Sequence, residues 1–333
     1  MYGGRFLNEK ILSMLKESND YVSGQEICDI LGVSRTAVWK HIKKLEKEGY
    51  KIEAVTNKGY ILKETADILS GFEIKSEIRD CTWFANDVYI YDEIDSTNNE
   101  CKRLAENGAK HGSLVVAKNQ TSGKGRRGRK WCLDSETGVA MTLLLRPDIK
   151  PSKCPSLTLV AAMAMNKAIR EVTNANSLIK WPNDIVVNGK KVTGILTEMS
   201  AELDMVNYIV IGLGINVNTE EFDEDIACKA TSLKRETGKE YRRSVLISKF
   251  GSYFEKYYDK YLQTKDMSLL MDEYNEYLVN VDNEVTIMEQ DNSYKAIAKG
   301  INNAGELIIK LSDNTEKAVS SGEVSVRGIY GYV

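Results

Sequence analysis

Residues 121–131 read Thr121-Ser122-Gly123-Lys124-Gly125-Arg126-Arg127-Gly128-Arg129-Lys130-Trp131, and the rest of the chain is organised around this stretch. Its three glycines alternate with five cations. Glycine lets backbone N–H groups approach a ligand closely, and arginine grips a phosphate with two parallel hydrogen bonds. The stretch lacks the Gly-x-x-x-x-Gly-Lys-Ser/Thr pattern of a P-loop. We predict a mobile loop that orders around an anionic ligand, the alternatives being a solvated basic loop or a nucleic-acid patch.

Composition limits the classes of protein to which the chain can belong. A length of 333 residues allows two or three domains with their own cores. Because 45 Lys and Arg face 48 Asp and Glu, for a net charge of −3, any binding of nucleic acid should be local. No apolar run reaches membrane-spanning length and no signal peptide is visible, so we expect a cytoplasmic protein. Six cysteines without a Cys-x-x-Cys pair and two histidines disfavour a dedicated zinc site.

The first 65 residues have the pattern of a winged helix-turn-helix domain. Ser23 opens a short second helix, Gly32 ends it, and Ser34 is a good N-cap for a third helix. Two short alternating strands, 50–55 and 60–62, then flank an Asn/Gly turn and form a wing. The alternative is a small helical interaction domain with a solvated lysine face.

The third helix is rich in cations on the side away from its apolar stripe. Its first residues stand where a recognition helix meets base edges, and its later lysines suit contacts with phosphates. The candidate DNA-binding residues are Ser34, Arg35, Thr36, Lys40, His41, Lys43 and Lys44.

The remaining chain predicts an α+β protein. Residues 66–83 are irregular and are interpreted as a linker. A mixed sheet is predicted across residues 84–279. It is indicated by strand patterns at 88–91, 112–117, 138–145, 184–187 and 206–217, together with a strongly apolar helix at 156–172. From residue 280 onward, short strands separated by turns suit a small β-barrel.

Two polar stretches of the central region allow more than one interpretation. Ser96-Thr97-Asn98 follows a strand and serves either as a helix cap or as a cluster of hydrogen-bonding groups for a ligand. Gly212-Leu213-Gly214-Ile215-Asn216 superficially suggests a dinucleotide fingerprint, but it lies late in a strand and lacks the third glycine. Glycines inside a strand more often mark close backbone approach by a ligand or by another chain.

Four motifs together resemble those of the biotin–protein ligases. Gly-Lys-Gly-Arg-Arg-Gly-Arg-Lys-Trp, Lys-Trp-Pro-Asn-Asp, Lys-Val-Thr-Gly-Ile-Leu and Gly-Leu-Gly-Ile-Asn-Val occur in that family's order and rough spacing. The N-terminal domain resembles that of the bifunctional class, whose members also repress the biotin operon. The resemblance covers essentially the whole chain. It implies a catalytic domain at 84–279 and an SH3-like domain at 280–333; lipoate ligases share the fold but are not expected to combine this loop with this N-terminal domain.

The resemblance also implies roles for individual residues. The biotin-binding set is Ser96, Thr97, Asn98, Gln120, Lys124, Gly125, Arg126 and Lys191. The nucleotide-binding set is Gly123, Lys124, Arg126, Arg127, Trp131, Asn183, Gly194 and Asn216. The catalytic set is Arg126, Lys191 and Asp184, with Asp184 a candidate aid to Mg²⁺ carried by the ATP phosphates. The family loop usually has arginine where this chain has Lys124, so the bidentate fork is lost and retention of the adenylate is expected to differ.

The implied activity is ATP-dependent and has two outcomes. Biotin is converted to biotinyl-5′-AMP and transferred to a lysine of a biotin carboxyl carrier protein. The adenylate is also a corepressor that promotes a homodimer on operator DNA, with the dimer surface expected around Gly194–Met199 and Val206–Val217. Two rival functions remain open: a repressor that senses the adenylate without transferring biotin, and a ligase for lipoate or octanoate.

Overall fold

The computed structural model describes residues 2–64, 67–133, 136–288, 293–321 and 325–328, with the backbone alone for 2–5 and 325–328. The chain divides into two compact units, residues 1–77 and 78–333. Within the described ranges, none of the helices combines the length and the apolar character needed to cross a bilayer.

The first unit is a winged helix-turn-helix, as predicted. Its elements are α1 (Tyr2–Glu17), α2 (Gly24–Leu31), α3 (Arg35–Lys47), β1 (Lys51–Val55), β2 (Gly59–Glu64) and α4 (Gly71–Glu77). The hydroxyl of Ser23 accepts a hydrogen bond from the backbone N–H of Glu26, and the hydroxyl of Ser34 accepts one from Ala37. Gly32 ends α2 in the left-handed conformation at φ 66°. Strands β1 and β2 pair antiparallel and form the wing.

Helix α4 corrects the prediction that residues 66–83 are irregular. Its Ile74 and Glu73 are fully buried in the first unit. The Glu73 carboxylate accepts hydrogen bonds from Tyr50 Oη at 2.8 Å and from Lys16 Nζ at 2.7 Å. A helix of seven residues with a buried, paired glutamate gives no readable apolar periodicity, so the first compact unit extends to Glu77 rather than ending near residue 65.

The second unit is built on a seven-stranded mixed sheet, as predicted. Its order is β3-β4-β5-β9-β8-β7-β6, in which β3 and β4 are parallel and the other neighbours are antiparallel. The strands are β3 (Val88–Ile94), β4 (Leu114–Gln120), β5 (Val139–Leu145), β6 (Leu178–Lys180), β7 (Asp184–Val187), β8 (Lys190–Glu202) and β9 (Met205–Ile215). Strand β6, which has three residues, was not predicted.

Five α-helices accompany this sheet in the described part of the second unit. They are α5 (Thr97–Glu106), α6 (Ser156–Thr173), α7 (Leu233–Thr237), α8 (Arg243–Thr264) and α9 (Met271–Glu276). The apolar pattern at 156–172 correctly predicts α6, and most of that helix is buried. The Glu255 carboxylate on α8 accepts backbone N–H bonds from Thr82 at 2.8 Å and Trp83 at 2.7 Å, so the end of the predicted linker is bound to this unit.

The C-terminal strands form a separate antiparallel sheet in the order β13-β12-β11-β10-β14. They are β10 (Glu284–Met288), β11 (Ser293–Ile301), β12 (Leu307–Lys310), β13 (Glu316–Val319) and β14 (Ser325–Gly328). The small β-domain is therefore confirmed, while β13, whose residues are mostly exposed, was missed. Trp181 is 1% exposed and its indole Nε1 donates to the carbonyl of Gly305 at 3.1 Å, which fixes this sheet to the Lys-Trp-Pro-Asn-Asp motif.

Candidate functional site

A pocket in the second unit gathers most of the residues that the sequence singles out. It lies where the ends of β3 and β4 meet β7, β8 and β9. The lining contains the predicted residues Ser96, Thr97, Asn98, Gln120, Lys124, Gly125, Arg126, Trp131, Asn183, Lys191 and Gly194. The structure adds Ile195, Leu196, Gly212, Leu213 and Gly214. Four motifs that are far apart in sequence therefore form one site.

The floor of the pocket is a hydrogen-bonded set of five side chains: Thr97, Asn98, Gln120, Thr142 and Glu198. Gln120 Oε1 accepts from the backbone N–H of Thr97 at 2.8 Å and from its hydroxyl at 3.1 Å. Thr142 Oγ1 lies 2.8 Å from Thr97 Oγ1 and 2.7 Å from Asn98 Oδ1, so its single hydrogen is shared between two acceptors. These groups orient one another.

Glu198 fixes the other end of the Asn98 amide. Asn98 Nδ2 donates to Glu198 Oε2 at 2.8 Å, and Lys102 Nζ donates to Glu198 Oε1 at 2.6 Å. Burial alone would raise the pKa of the Glu198 carboxyl, but the hydrogen bonds from Lys102 and Asn98 outweigh burial and hold the pKa below its ordinary value. The carboxylate therefore stays ionised and keeps the amide nitrogen pointing towards β8.

The glycines of β9 are required by close contacts. A Cβ at Gly212 would lie 2.1 Å from Asn98 Oδ1, and one at Gly214 would lie 2.2 Å from Trp131 Nε1. The groups that approach these glycines are the side chains of Asn98 and Trp131 of the same chain, whereas the prediction names a ligand or another chain. The glycines are not a dinucleotide fingerprint, because they lie within a strand.

Ser96 stands at the N-cap position of α5 without acting as a cap. Its hydroxyl makes no capping hydrogen bond, and the residue is 2% exposed. The interpretation of Ser96 as only a helix cap is therefore wrong. Ser96 is part of the pocket lining instead.

The lid of the pocket is the glycine- and arginine-rich stretch at residues 121–131. Gly125 N–H donates to the carbonyl of Arg129 at 2.6 Å, and Trp131 N–H donates to Gly123 at 2.9 Å. Arg127 adopts a left-handed conformation at φ 56° and is exposed. The lid thus has a folded conformation of its own, and its predicted mobility remains a prediction.

Trp131 lies across two strands at the end of the lid. Gly194 and Gly214 are directly opposite each other on β8 and β9, and together they leave a flat surface without side chains under the indole. Lys191 Nζ lies 5.1 Å from the ring centroid, within cation–π range. The indole Nε1 is buried and has no hydrogen-bond partner among the described residues.

Two cations tie the lid side of the pocket together. Arg126 Nη1 donates to Asn183 Oδ1 at 3.1 Å, and its Nη2 donates to the carbonyl of Ser321 near the C-terminal sheet. Lys191 Nζ lies 2.5 Å from Asp184 Oδ1. The predicted catalytic residues Arg126, Lys191 and Asp184 are therefore close together, and the cavity left between lid and floor is only about 50 Å³.

Three predicted nucleotide-binding residues, Gly123, Arg127 and Asn216, lie outside the lining, as does the predicted catalytic residue Asp184. The Arg127 side chain is exposed. Asn216 is 5% exposed, and its amide donates to the carbonyl of Thr231 at 3.1 Å. Gly123 is buried at the base of the lid, where a Cβ would lie 2.5 Å from the carbonyl oxygen of Trp131.

The N-terminal unit presents most of its predicted DNA-contact residues to solvent. Arg35, Thr36, Lys40, Lys43 and Lys44 are exposed on α3. Ser34 is used as the cap of that helix. His41 differs: it is half-buried and its Nδ1 lies 2.6 Å from Asn8 Oδ1, so its side chain is turned towards α1.

Besides the five additional lining residues, three residues that build these surfaces were not predicted. Thr142 and Glu198 complete the floor, and Trp39 is 52% exposed on α3 among the cations. Thr142 carried a signal, since it is the single polar residue in the buried strand Val-Ala-Met-Thr-Leu-Leu-Leu. Glu198 carried none, because its role depends on contacts with Asn98 and Lys102 about a hundred residues away.

Family models match all three parts of the chain. Residues 90–216 match the biotin/lipoate A/B protein ligase family, residues 8–61 match a helix-turn-helix domain, and residues 283–327 match the biotin protein ligase C-terminal domain. A solved structure of the biotin protein ligase from Aquifex aeolicus in complex with biotin and ATP has a TM-score of 0.64 and 29% identity. It covers 73% of this chain and 99% of its own.

Two curated relatives match this chain over almost their whole length. The bifunctional ligase/repressor BirA of Escherichia coli is 27% identical over 96% of this chain and 96% of its own length. The bifunctional ligase/repressor BirA of Bacillus subtilis is 39% identical over 95% of this chain and 97% of its own length. Identity of that extent across all three domains shows that the chain belongs to the biotin–protein ligase family, in its bifunctional ligase/repressor class.

Proposed function

We propose that this chain is an ATP-dependent biotin–protein ligase that also represses biotin genes. It forms biotinyl-5′-AMP and transfers the biotin to a lysine of a biotin carboxyl carrier protein. With the adenylate bound, it dimerises and binds operator DNA. The observation that carries the ligase proposal is the juxtaposition of the polar floor with Arg126 and Lys191 in one pocket.

The floor suits the head group of biotin. A ureido ring needs donors and acceptors on both sides within a small pocket whose remaining walls are apolar. Thr97, Asn98 and Gln120 supply such groups, and Ile195 and Leu213 supply apolar wall. Ser96 adds a hydroxyl that no capping bond occupies. An aliphatic lipoyl tail offers these polar groups no hydrogen-bond partner of its own, which favours biotin.

The lid side suits the nucleotide and the reacting phosphate. Lys124, Gly125 and Arg126 are proposed to wrap the phosphates, and Trp131 with Gly194 to line the base side. Asn183 is within reach because it already accepts from Arg126. Gly123 forms the base of the lid. Arg127 and Asn216 join this set only after the lid has moved, because neither lines the pocket in its present conformation.

The chemistry requires two anions to meet. The biotin carboxylate attacks the α-phosphorus of ATP, a new P–O bond forms, and pyrophosphate leaves. Arg126 and Lys191 offset the repulsion and stabilise the charge that develops on the phosphate oxygens. The amine of the acceptor lysine then attacks the biotinyl carbonyl and AMP leaves, so no nucleophile from this chain is needed.

Magnesium is proposed to arrive with the ATP phosphates. Nucleotide sites usually hold Mg²⁺ through one or two carboxylates plus phosphate oxygens. Among the described residues no group of three or more His, Cys, Asp or Glu is placed to form a protein cage. Asp184, beside Lys191 at 2.5 Å, is the carboxylate that fits the single-ligand arrangement. Bound there, Mg²⁺ would neutralise phosphate charge.

The lid must open before substrates enter. A cavity of about 50 Å³ accommodates a few water molecules and is too small for biotin. Trp131 and Lys191 fill the remaining space. A lid that opens for substrates and closes again also keeps water away from the reactive adenylate.

The repressor activity is proposed to depend on dimerisation. A single winged helix makes few DNA contacts, whereas a dimer joins two half-sites and raises the effective concentration of the second. Ser34, Arg35, Thr36, Lys40, Lys43 and Lys44 are the proposed DNA contacts; His41 is left out because it faces Asn8. The β8–β9 hairpin exposes Met199, Leu203 and Met205, which supports a dimer surface there. Leu203 and Met205 lie between the two expected stretches, and residues 208–217 of the second stretch are buried.

One incubation tests the ligase. The protein is mixed with ATP, Mg²⁺, radiolabelled biotin and a biotin carrier domain, and each component is omitted in turn. ATP-dependent label on the carrier lysine is expected. Label retained as adenylate without transfer would favour the sensor-repressor. No label at all would contradict biotin as the substrate, and lipoate would then be tested in its place. Equal dimerisation with and without biotin and ATP, measured by sedimentation, would contradict the switch.

A further inference from the structure

Three exposed residues of the helix-turn-helix form a hydrogen-bonded chain. Arg35, the first residue of α3, donates to Gln25 Oε1 from Nε at 3.1 Å and from Nη2 at 2.8 Å. Gln25 Nε2 in turn donates to Asp29 Oδ1 at 2.7 Å. Gln25 and Asp29 both lie on α2, four residues apart, where side chains are neighbours on one helix face. These hydrogen bonds therefore couple α2 and α3 at their solvent-exposed side.

Asp29 determines which way the Gln25 amide points. An ionised carboxylate only accepts hydrogen bonds, so it selects the NH₂ end of the amide. The carbonyl end must then face Arg35, whose guanidinium only donates. Without Asp29 the amide could turn its NH₂ group towards Arg35 and lose both bonds.

The Gln25 contact leaves one edge of the guanidinium free. A guanidinium presents a side edge, formed by Nε and Nη2, and an end edge, formed by Nη1 and Nη2. Gln25 occupies the side edge. Over the described part of the chain, no residue accepts from Arg35 Nη1, so the end edge is open to solvent.

The open end edge matches one base in particular. Guanine presents two acceptors, N7 and O6, in the major groove, and arginine bonds them with two parallel N–H groups. The first turn of a recognition helix is where side chains meet base edges. Arg35 and Gln25 also line a groove of about 550 Å³ with the wing, and Lys58 of the wing contributes a further cation to it.

We infer that Gln25 and Asp29 are positioning residues that hold Arg35 to read a guanine in each operator half-site. This inference rests on the proposed DNA-binding function and adds the base and the residues that select it. An arginine without such positioning hydrogen bonds retains its charge but samples many rotamers, and it can bind the phosphates of DNA of any sequence. The hydrogen bonds from Gln25 to Arg35 therefore convert general affinity for DNA into a requirement for one G·C pair.

The test uses the full-length protein with biotin, ATP and Mg²⁺. Duplexes that bind are selected from a randomised library, and each guanine of the selected half-site is then replaced by 7-deazaguanine, which lacks the N7 acceptor. Wild-type protein is expected to lose roughly 5- to 150-fold in affinity at one guanine. Arg35→Met should remove that penalty.

Two variants distinguish positioning from charge. Gln25→Met keeps the side-chain length without an acceptor, and it should shrink the 7-deazaguanine penalty to less than about 3-fold while binding to random duplexes changes little. Asp29→Ala removes a negative charge, so it should raise affinity for all duplexes and yet reduce the penalty at the guanine. A purely electrostatic role for Asp29 would raise affinity and leave the penalty unchanged.

Lys43→Met is the matched control. Lys43 is exposed on the same helix and donates a hydrogen bond to Glu46 at 2.6 Å. It takes no part in the hydrogen bonds among Arg35, Gln25 and Asp29. Its loss should weaken binding to every duplex alike, reduce the salt dependence and preserve the 7-deazaguanine penalty. Helical content and melting temperature of each variant are measured first, since all four side chains are exposed and the fold should be retained.

Two outcomes would overturn the inference. A selected half-site in which no guanine replacement matters would exclude guanine reading by Arg35. A full penalty in Gln25→Met would exclude the positioning role. Failure to select any duplex would instead contradict DNA binding itself, and the inference with it, so the two failures are distinguishable.

Discussion

The floor and the lid of the central pocket differ in how their polar groups are held. On the floor, Thr97, Asn98, Gln120, Thr142 and Glu198 orient one another through short side-chain hydrogen bonds. The lid exposes most of its cations, and a few bonds hold it in place. A mutually bonded set keeps its geometry whether or not a ligand is present, because moving one member leaves its partners unpaired. We therefore expect recognition to depend on the floor and retention of the intermediate to depend on the lid.

The largest expected effect comes from adding a methyl group to the floor. In Gly212→Ala the new Cβ would lie 2.1 Å from Asn98 Oδ1, so Asn98 must leave its bonds to Thr142 and Glu198. Losing two or three hydrogen bonds, either to biotin or among the floor side chains that position Asn98, should weaken biotin binding about 100-fold. Titration calorimetry with biotin in the absence of ATP measures this.

The matching variant on the lid side is Gly214→Ala. Its Cβ would lie 2.2 Å from Trp131 Nε1 and would displace the indole while leaving the floor bonds intact. Binding of biotin alone should fall less than about 10-fold. Equal losses in the two variants would contradict the division between floor and lid.

The next effect concerns retention of the adenylate. Arg126→Ala removes the cation that bonds Asn183, and it should release biotinyl-AMP about 10- to 100-fold faster and lower overall ligation accordingly. Dissociation of radiolabelled adenylate gives the rate. Arg129→Ala, which removes an exposed lid cation outside the pocket lining, is the control and should release it at the wild-type rate.

A smaller effect is expected on changing pH. The pKa of Glu198 is held below its ordinary value of 4.5. Because the pKa of Glu198 is lower in the folded protein, the stabilisation that its ionised carboxylate gives the floor is complete above the ordinary pKa. That stabilisation is lost as pH falls through the lower folded-state pKa. Biotin affinity should therefore stay level from pH 8 to about pH 5 and fall only in more acidic solution. A decline centred between pH 6 and 7 would show that another group controls the floor.

Lys124→Arg should produce the smallest change. It restores the residue usual in the related family, and a guanidinium can bond one phosphate with two parallel N–H groups where an ammonium offers a point charge. We expect adenylate release to slow by about 2- to 5-fold, with biotin binding alone unchanged. Faster release would mean that the pocket is adapted to the shorter reach of lysine.

The sequence predicted most of the strands and most of the pocket because its motifs carry several signals each. Alternating apolar residues indicated the strands, and the glycine and arginine stretch indicated the loop. The motif around Asn183 and Asp184 lies in the pocket because β7 pairs with β8, which carries Lys191 and Gly194. Resemblance in order and spacing supplied the individual roles, which periodicity alone does not give.

What could not be predicted depends on distant contacts or short elements. Glu198 acquires its role only when α5 brings Asn98 and Lys102 against β8. Helix α4 and strand β6 are too short for a recognisable period. His41 falls among exposed cations in sequence, yet the rotation of α3 turns it towards Asn8. In each case tertiary packing rather than local pattern decides the outcome.

Amide hydrogen exchange, followed by mass spectrometry with and without biotin, ATP and Mg²⁺, tests the account most directly. Formation of the adenylate should slow exchange at least about 10-fold across residues 121–131, while β5 and β9 beneath the floor exchange at the same slow rate in both conditions. Equal protection of the lid with and without substrates, or a change confined to β5 and β9, would contradict a preformed floor beneath a lid that closes on the intermediate.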